Sequence, residues 1–130
     1  MLNTEITKSL VPTNDVIVGS DLAFAPGSQA NLTARKEWGM SSGNTGHWQL
    51  QIARSDKSFS DIMAPNKAIQ GSYNYINTRY GMSNDEWVAE LYIDNLFDRR
   101  AEISNTFVFD RSRLSVIKPR TLGLRYKKSF

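Results

Sequence analysis

The chain of 130 residues contains no cysteine. Disulfide bonds, thiolate metal sites and cysteine nucleophiles are therefore excluded. Long hydrophobic runs are also missing: the mean hydropathy is −0.44, and no segment approaches the roughly 18 consecutive apolar residues that a membrane-spanning helix needs. Since amphipathic helical spacing is likewise missing, the sequence predicts an all-β fold.

Groups that usually perform catalysis or bind metals are sparse. His47 is the only histidine, and without cysteine partners it does not predict a catalytic or metal site. Asp94 and Asp98 would lie about 13 Å apart along an extended strand, too far for the paired carboxylates of a glycosidase. Because a Gly-rich phosphate loop and a serine nucleophile elbow are missing too, we expect no enzyme activity, cofactor or metal.

The charge distribution argues against a nucleic-acid partner. The net charge is +3 and the pI is about 9.3, but lysine and arginine are scattered along the chain. Proteins that bind nucleic acid usually concentrate their basic residues in one patch or segment. We therefore expect no nucleic-acid binding.

The last twelve positions, 119–130, carry the strongest pattern in the chain. From Leu122 onward, large and mostly apolar residues alternate with polar or small ones, and Lys128 is the exception on the apolar side. This period of two is typical of a strand with one apolar and one polar face. The apolar positions are Leu122, Leu124, Tyr126 and Phe130.

Similar alternation recurs upstream and predicts an antiparallel meander. The connections between the predicted strands alternate in length: 39–46 and 83–86 are short, whereas 12–28, 55–68 and 98–118 are long. Bacterial outer-membrane barrels alternate short turns with long outer loops in this way. The predicted strands are 29–38, 47–54, 69–82, 87–97 and 119–130, with the end of a further strand in 1–11 and a short strand at 107–109.

Four aromatic residues bracket the two short turns. Trp38 and Trp48 flank the first turn, and Tyr80 and Trp87 flank the second. An aromatic girdle at a membrane interface has this arrangement. The alternative is a soluble β-sandwich or half-barrel that binds carbohydrate or another ligand, with these aromatics in its core or on a stacking surface.

Three segments resemble landmarks of TonB-dependent outer-membrane receptors. Residues 87–100 (WVAELYIDNLFDRR) resemble the penultimate strand of that family, and Pro119-Arg120-Thr121 followed by Phe130 resembles its closing strand. Residues 21–26 (DLAFAP), followed by an alternating strand, resemble a third landmark. The resemblance implies that 1–130 is the C-terminal segment of a barrel of about 22 strands, without the plug domain or the TonB box. Five or six strands would be present, so the barrel would be incomplete.

The family resemblance also implies a location and partners. It places the chain in the outer membrane of a Gram-negative bacterium, in contact with lipid and lipopolysaccharide, as part of a transporter for ferric siderophores or similar scarce ligands. TonB would act through the missing N-terminal part. The closing strand would be the signal for the β-barrel assembly machinery, through Leu122, Leu124, Tyr126 and Phe130. Alone, this segment is expected not to transport.

Pairing of the last strands predicts a row of charges on the polar face. If Trp87 lies opposite Phe130, Glu90 faces Lys127 and Tyr92 faces Arg125. A matching offset on the preceding strand places Arg79 beside Glu90. The sequence thus predicts a lumenal charge ladder formed by Arg79, Glu90, Arg125 and Lys127.

The last long connection, 98–118, is basic. Its arginines would suit an anionic ligand such as a ferric siderophore, and contact with lipopolysaccharide phosphates is an equally good reading. The residues of this predicted ligand loop are Arg99, Arg100, Arg111 and Arg113.

Overall fold

The computed structural model describes residues 4–8, 18–61, 67–108 and 111–129. These residues form β-strands and contain no helix, so the predicted all-β class is confirmed for them. Within these ranges, no helix is long and apolar enough to cross a membrane. The strands are β1 Gln29–Gly39, β2 Thr45–Ser55, β3 Ser58–Phe59, β4 Ile69–Gln70, β5 Tyr73–Ser83, β6 Trp87–Asp94, β7 Glu102–Val108, β8 Arg111–Val116 and β9 Thr121–Lys128.

The main sheet has five strands in the order β1-β2-β5-β6-β9. Its members follow one another in chain order, with β3–β4 and β7–β8 inserted between them as separate two-stranded sheets. The β5–β6 and β6–β9 pairs are antiparallel, as predicted. Three predicted strands were too long: β5 begins at Tyr73 instead of residue 69, β9 begins at Thr121 instead of residue 119, and β6 ends at Asp94 because Asn95 has a φ of 53°.

The predicted strand register is wrong by two residues. Trp87 pairs with Lys128 instead of Phe130, so Glu90 faces Arg125 and Tyr92 faces Gly123. On the other side of β6, Glu90 faces Gly81, and Arg79 faces Tyr92. A shift of two keeps every side chain on its predicted face, because side chains alternate with a period of two. Phe130 itself lies outside the described residues.

The long connections contain more structure than the sequence indicated. Instead of a polar connection with one short strand at 107–109, residues 102–116 form the β7–β8 hairpin, with an irregularity between Glu102 and Ser104. Position 109 of the predicted strand lies outside the described residues. Residues 4–8 of the predicted N-terminal strand are not in a strand, and its remaining positions, 1–3 and 9–11, also lie outside.

The chain divides into two compact units. The first comprises the described residues of Met1–Ala30, Arg54–Tyr73 and Arg100–Ile117, including the two small sheets. The second comprises those of Asn31–Ala53, Asn74–Arg99 and Lys118–Phe130, and it contains most of the five-stranded sheet.

Burial in this protein is opposite to that of a typical soluble domain. No hydrophobic side chain is buried within the described ranges, whereas His47 is 1% exposed and Asn95 is 3% exposed. Soluble domains normally bury Leu, Ile, Val and Phe and expose polar residues. The apolar side chains of the five-stranded sheet therefore do not form an internal core.

Candidate functional site

A row of amide side chains crosses the polar face of the sheet. Gln51 on β2 donates to Asn31 Oδ1 on β1 at 3.3 Å, and Asn77 on β5 donates to Gln51 Oε1 at 3.1 Å. Asn77 Oδ1 in turn accepts the backbone N–H of Asn95 at 2.9 Å. The row links three neighbouring strands and the end of β6, so the polar face is held by its own hydrogen bonds.

A second polar cluster contains His47, Glu90 and Arg125. His47 Nε2 lies 3.0 Å from Glu90 Oε1, and Arg125 Nη1 donates to Glu90 Oε2 at 3.3 Å. Only 10% of the Glu90 side chain is exposed, against 56% for Arg125. The carboxylate therefore has two partners in a largely dehydrated position, where hydrogen bonds to a charged group are strong.

Gly81 provides the space for this cluster. It lies on β5, opposite Glu90 and between the strands that carry His47 and Glu90. A Cβ at this position would overlap the carbonyl oxygen of Ala89 and approach Glu90 Cγ at 3.0 Å. A larger residue would consequently disturb the strand pair and the carboxylate together.

The predicted charge ladder is corrected in its pairing. Glu90 contacts Arg125, but Lys127 faces Val88 and Arg79 faces Tyr92. The sequence analysis set His47 aside for lack of cysteine partners, although its odd position in β2 puts it on the polar face with Gln49 and Gln51. Its contact with Glu90 spans a strand, so neighbouring-strand pairing could not reveal it.

Replacing Glu90 by alanine is expected to lower the free energy of unfolding by about 1–3 kcal/mol, because buried His47 then loses its partner. Glu90→Gln should retain most of the stability, since its amide oxygen can still accept from His47. Urea titration in the lipid or detergent that supports folding, followed by tryptophan fluorescence, measures both. Glu86→Ala, in an exposed turn, is the control. A Glu90→Ala variant as stable as Glu86→Ala would contradict a structural role for the cluster.

The opposite face of the sheet is apolar and exposed. Leu124 is 83% exposed and Leu122 66%, and Leu91 lies directly opposite Leu124 on the neighbouring strand. The other large exposed residues of this face lie on β1, β2, β5 and β9: Leu32, Trp48, Ile52, Tyr80, Met82 and Tyr126. Exposed apolar surface of this extent marks an interaction with a membrane or another protein.

Aromatic residues cluster on this face near the short turns. Trp38 and Tyr80 have ring centroids 6.0 Å apart, and Trp87 stacks on Tyr126 at 6.4 Å. Trp48 donates its indole N–H to Thr78 Oγ1 at 2.9 Å, which fixes its ring. The structure thus brings three of the four predicted girdle residues together and places the fourth, Trp87, beside the last strand.

These aromatics form an open cleft of about 530 Å³ lined by Lys36, Trp38, Trp48 and Tyr80. Gly46 is buried in the hairpin beside it, and a Cβ there would overlap the Trp38 ring and the Met40 methyl group. Glycine therefore lets the Trp38 ring lie against the backbone of the neighbouring strand. Sequence reasoning identified the aromatics but not the cleft, which depends on this contact.

Asn95 ties the end of β6 to the start of β9. Its side-chain amide donates to the carbonyl oxygens of Arg99 and Lys118, both at 2.9 Å, and its Oδ1 accepts the N–H of Arg99 at 2.9 Å. Asp98 Oδ1 accepts the backbone N–H of Arg120 at 2.9 Å. The Asn-Leu-Phe-Asp and Pro-Arg-Thr motifs, separate in sequence, are therefore joined by side-chain hydrogen bonds.

The predicted basic ligand loop is distributed over two units. Arg99 belongs to the second unit, while Arg100, Arg111 and Arg113 belong to the first. All four are exposed, and Arg111 and Arg113 occupy alternate positions of β8. None of the four lines the aromatic cleft or the pocket of the first unit.

The first unit contains a smaller pocket of about 350 Å³. Ser28 bonds Asp56 at 2.5 Å beside it, and Lys67 covers the ring of Phe59 at 4.1 Å. Across the described ranges, three or more acidic or histidine ligands never come together as a metal site would need. The pocket is lined by Thr4, Asp21, Ala25, Gly27, Asp56, Lys57, Phe59 and Ser72.

Comparison with known proteins gives no match: no family model, no curated protein and no solved structure matches this chain. The function is consequently argued from the two faces of the sheet.

Proposed function

We propose that this chain forms strands of a transmembrane β-barrel, as the C-terminal barrel portion of a TonB-dependent outer-membrane transporter. One observation carries the proposal: the sheet has a hydrogen-bonded polar face that buries His47 and an apolar face on which Leu124 is 83% exposed. Strands of membrane barrels place apolar residues toward lipid and polar residues toward the lumen. The three motifs that resemble this receptor family support the more specific assignment.

The edges of the sheet also support a larger assembly. Within the described residues, β1 and β9 each have one neighbour in the five-stranded sheet. Their outer edges leave backbone N–H and C=O groups without strand partners, at a cost of several kcal/mol per unsatisfied group in lipid. Further strands must pair there before the barrel is complete, so this segment does not transport alone.

The soluble binding module is less consistent with the exposure of the sheet. A β-sandwich would cover Leu91, Ile93, Leu122 and Leu124 with a second sheet. Leu91, Leu122 and Leu124 are instead exposed, and Ile93 is only partly buried. Their exposure favours lipid as the environment of this face.

In the proposed transporter the polar cluster faces the lumen, and the closing strand is recognised by the assembly machinery. Leu122, Leu124 and Tyr126 present a continuous apolar stripe for that recognition. The transported ligand would be a ferric siderophore or a similar scarce compound, met by outer loops that include the arginines of β8. The same arginines would suit lipopolysaccharide phosphates.

Dilution of the urea-unfolded chain into buffer, or into phosphatidylcholine vesicles, tests the proposal. We expect a β-sheet circular dichroism signal and a blue shift of tryptophan fluorescence only with vesicles, because the apolar face needs lipid. In a control, the chain is diluted into a vesicle suspension that keeps the urea concentration denaturing. This control gives the signal of chain that is bound but unfolded. A cooperative β-fold that forms as a monomer in buffer would overturn the proposal in favour of the soluble module.

A further inference from the structure

We infer that the cleft formed by Lys36, Trp38, Trp48 and Tyr80 binds a phospholipid with an anionic headgroup; this inference rests on the proposed membrane location. The cleft opens on the apolar face of the sheet. It lies at the end of the sheet that carries the short turns, where the aromatic residues cluster. In a membrane barrel this is the depth of the lipid headgroups.

The three aromatic rings of the cleft have contacts within the protein. Trp48 is held by its hydrogen bond to Thr78, and Trp38 lies against Gly46 and beside Tyr80. Rigid aromatic walls bind an acyl chain with little loss of side-chain entropy. These contacts distinguish the cleft from the uncovered apolar surface around Leu122 and Leu124.

Lys36 determines the charge of the ligand. It lies on the apolar face of β1, two positions before Trp38, and it is the cationic residue in the lining of the cleft. Among the described residues no carboxylate pairs with it, whereas the neighbouring Arg35 bonds Glu37. A long lysine side chain can extend along apolar walls toward the interface, and the phosphate of a lipid would neutralise it there.

The composition of the cleft favours a lipid over a sugar. A sugar site needs several polar groups around its hydroxyls, but the Trp48 indole N–H is already used by Thr78 and no carboxylate or amide lines the cleft. Three aromatic rings and one ammonium group match an apolar chain with a single anionic phosphate. Phosphatidylglycerol has this chemistry.

Quenching of tryptophan by brominated lipids tests the site. The full chain carrying Trp87→Phe keeps Trp38 and Trp48, which both line the cleft. It is folded into phosphatidylcholine vesicles that contain a tenth of either brominated phosphatidylglycerol or brominated phosphatidylcholine. We expect phosphatidylglycerol to be preferred by about fivefold, the effect of one lysine near anionic lipid. Lys36→Gln should abolish the preference, and Lys36→Arg should keep it.

Lys128→Gln is the matched control, because it removes the same charge from the same face outside the cleft. Equal loss of preference in both glutamine variants would show general attraction to the surface and overturn the lipid site. Insertion without any preference would overturn the site but leave the proposed function intact. A chain that stays folded in buffer and does not insert would overturn both. Fluorescence that responds to maltohexaose in buffer instead would assign the cleft to sugars and overturn the lipid proposal.

Discussion

Asn95→Ala is expected to lower the free energy of unfolding by at least about 3 kcal/mol, the largest loss that we expect from one polar residue in this chain. The side chain is 3% exposed and makes three hydrogen bonds to backbone groups of Arg99 and Lys118. Each buried group left without a partner costs about 1–3 kcal/mol. Alanine would also have to adopt the φ of 53°, at a further cost of about 1–2 kcal/mol. Urea titration in the lipid or detergent that supports folding measures the loss.

Two further variants separate the causes of the Asn95 effect. Asn95→Gly removes the hydrogen bonds but tolerates the positive φ, so it should be about 1 kcal/mol more stable than Asn95→Ala. Asn44→Ala is the control, because Asn44 lies in the first short turn and bonds only exposed Ser42 through its side chain. If Asn95→Ala lost no more stability than Asn44→Ala, the link between β6 and β9 would not stabilise the fold.

Face assignment was readable from the sequence, but register was not. Alternation places Leu91 and Leu124 on one face and Glu90 and Arg125 on the other in any register shifted by an even number of residues. The actual offset of β9 against β6 depends on how the connection between them closes, where Asn95 donates to the Lys118 carbonyl oxygen and Asp98 accepts the N–H of Arg120. Such local hydrogen bonds leave no periodic signal, which explains the error of two residues.

The residues of the candidate site also divide into those that the sequence indicated and those that it did not. The aromatics were found because they lie next to predicted turns, and turn positions are visible in sequence. The cleft around Lys36 was not, because it requires Gly46 to lie beside the Trp38 ring across the hairpin. His47 and Glu90 are on strands that are not neighbours in the sheet, and only the small residue Gly81 on the strand between them makes room for the contact. Contacts of this kind depend on the three-dimensional arrangement of three strands.

Leu124→Arg is expected to lower the free energy of unfolding in vesicles by about 2–4 kcal/mol, the cost of a cation on the lipid face near the bilayer centre. Leu124 is in the middle of β9, opposite Leu91 in the middle of β6, so its side chain is far from both ends of the sheet. A loss of this size corresponds to about 30- to 1,000-fold in the folding equilibrium constant. Urea titration of the chain in phosphatidylcholine vesicles, followed by circular dichroism, measures the change.

The same substitution should have almost no effect on stability if the apolar face lies in water. Leu124 is 83% exposed, and replacing an exposed leucine by arginine in a soluble protein changes stability by less than about 0.5 kcal/mol. Leu124→Ala is the control, since it shortens the side chain without adding charge. Thr121→Arg, on the polar face of the same strand, should be tolerated because that face already carries Arg125 and Lys127. Equal stability of Leu124→Arg and Thr121→Arg in vesicles would show that the face of Leu124 is not in lipid, because only a lipid environment distinguishes the two sides of β9.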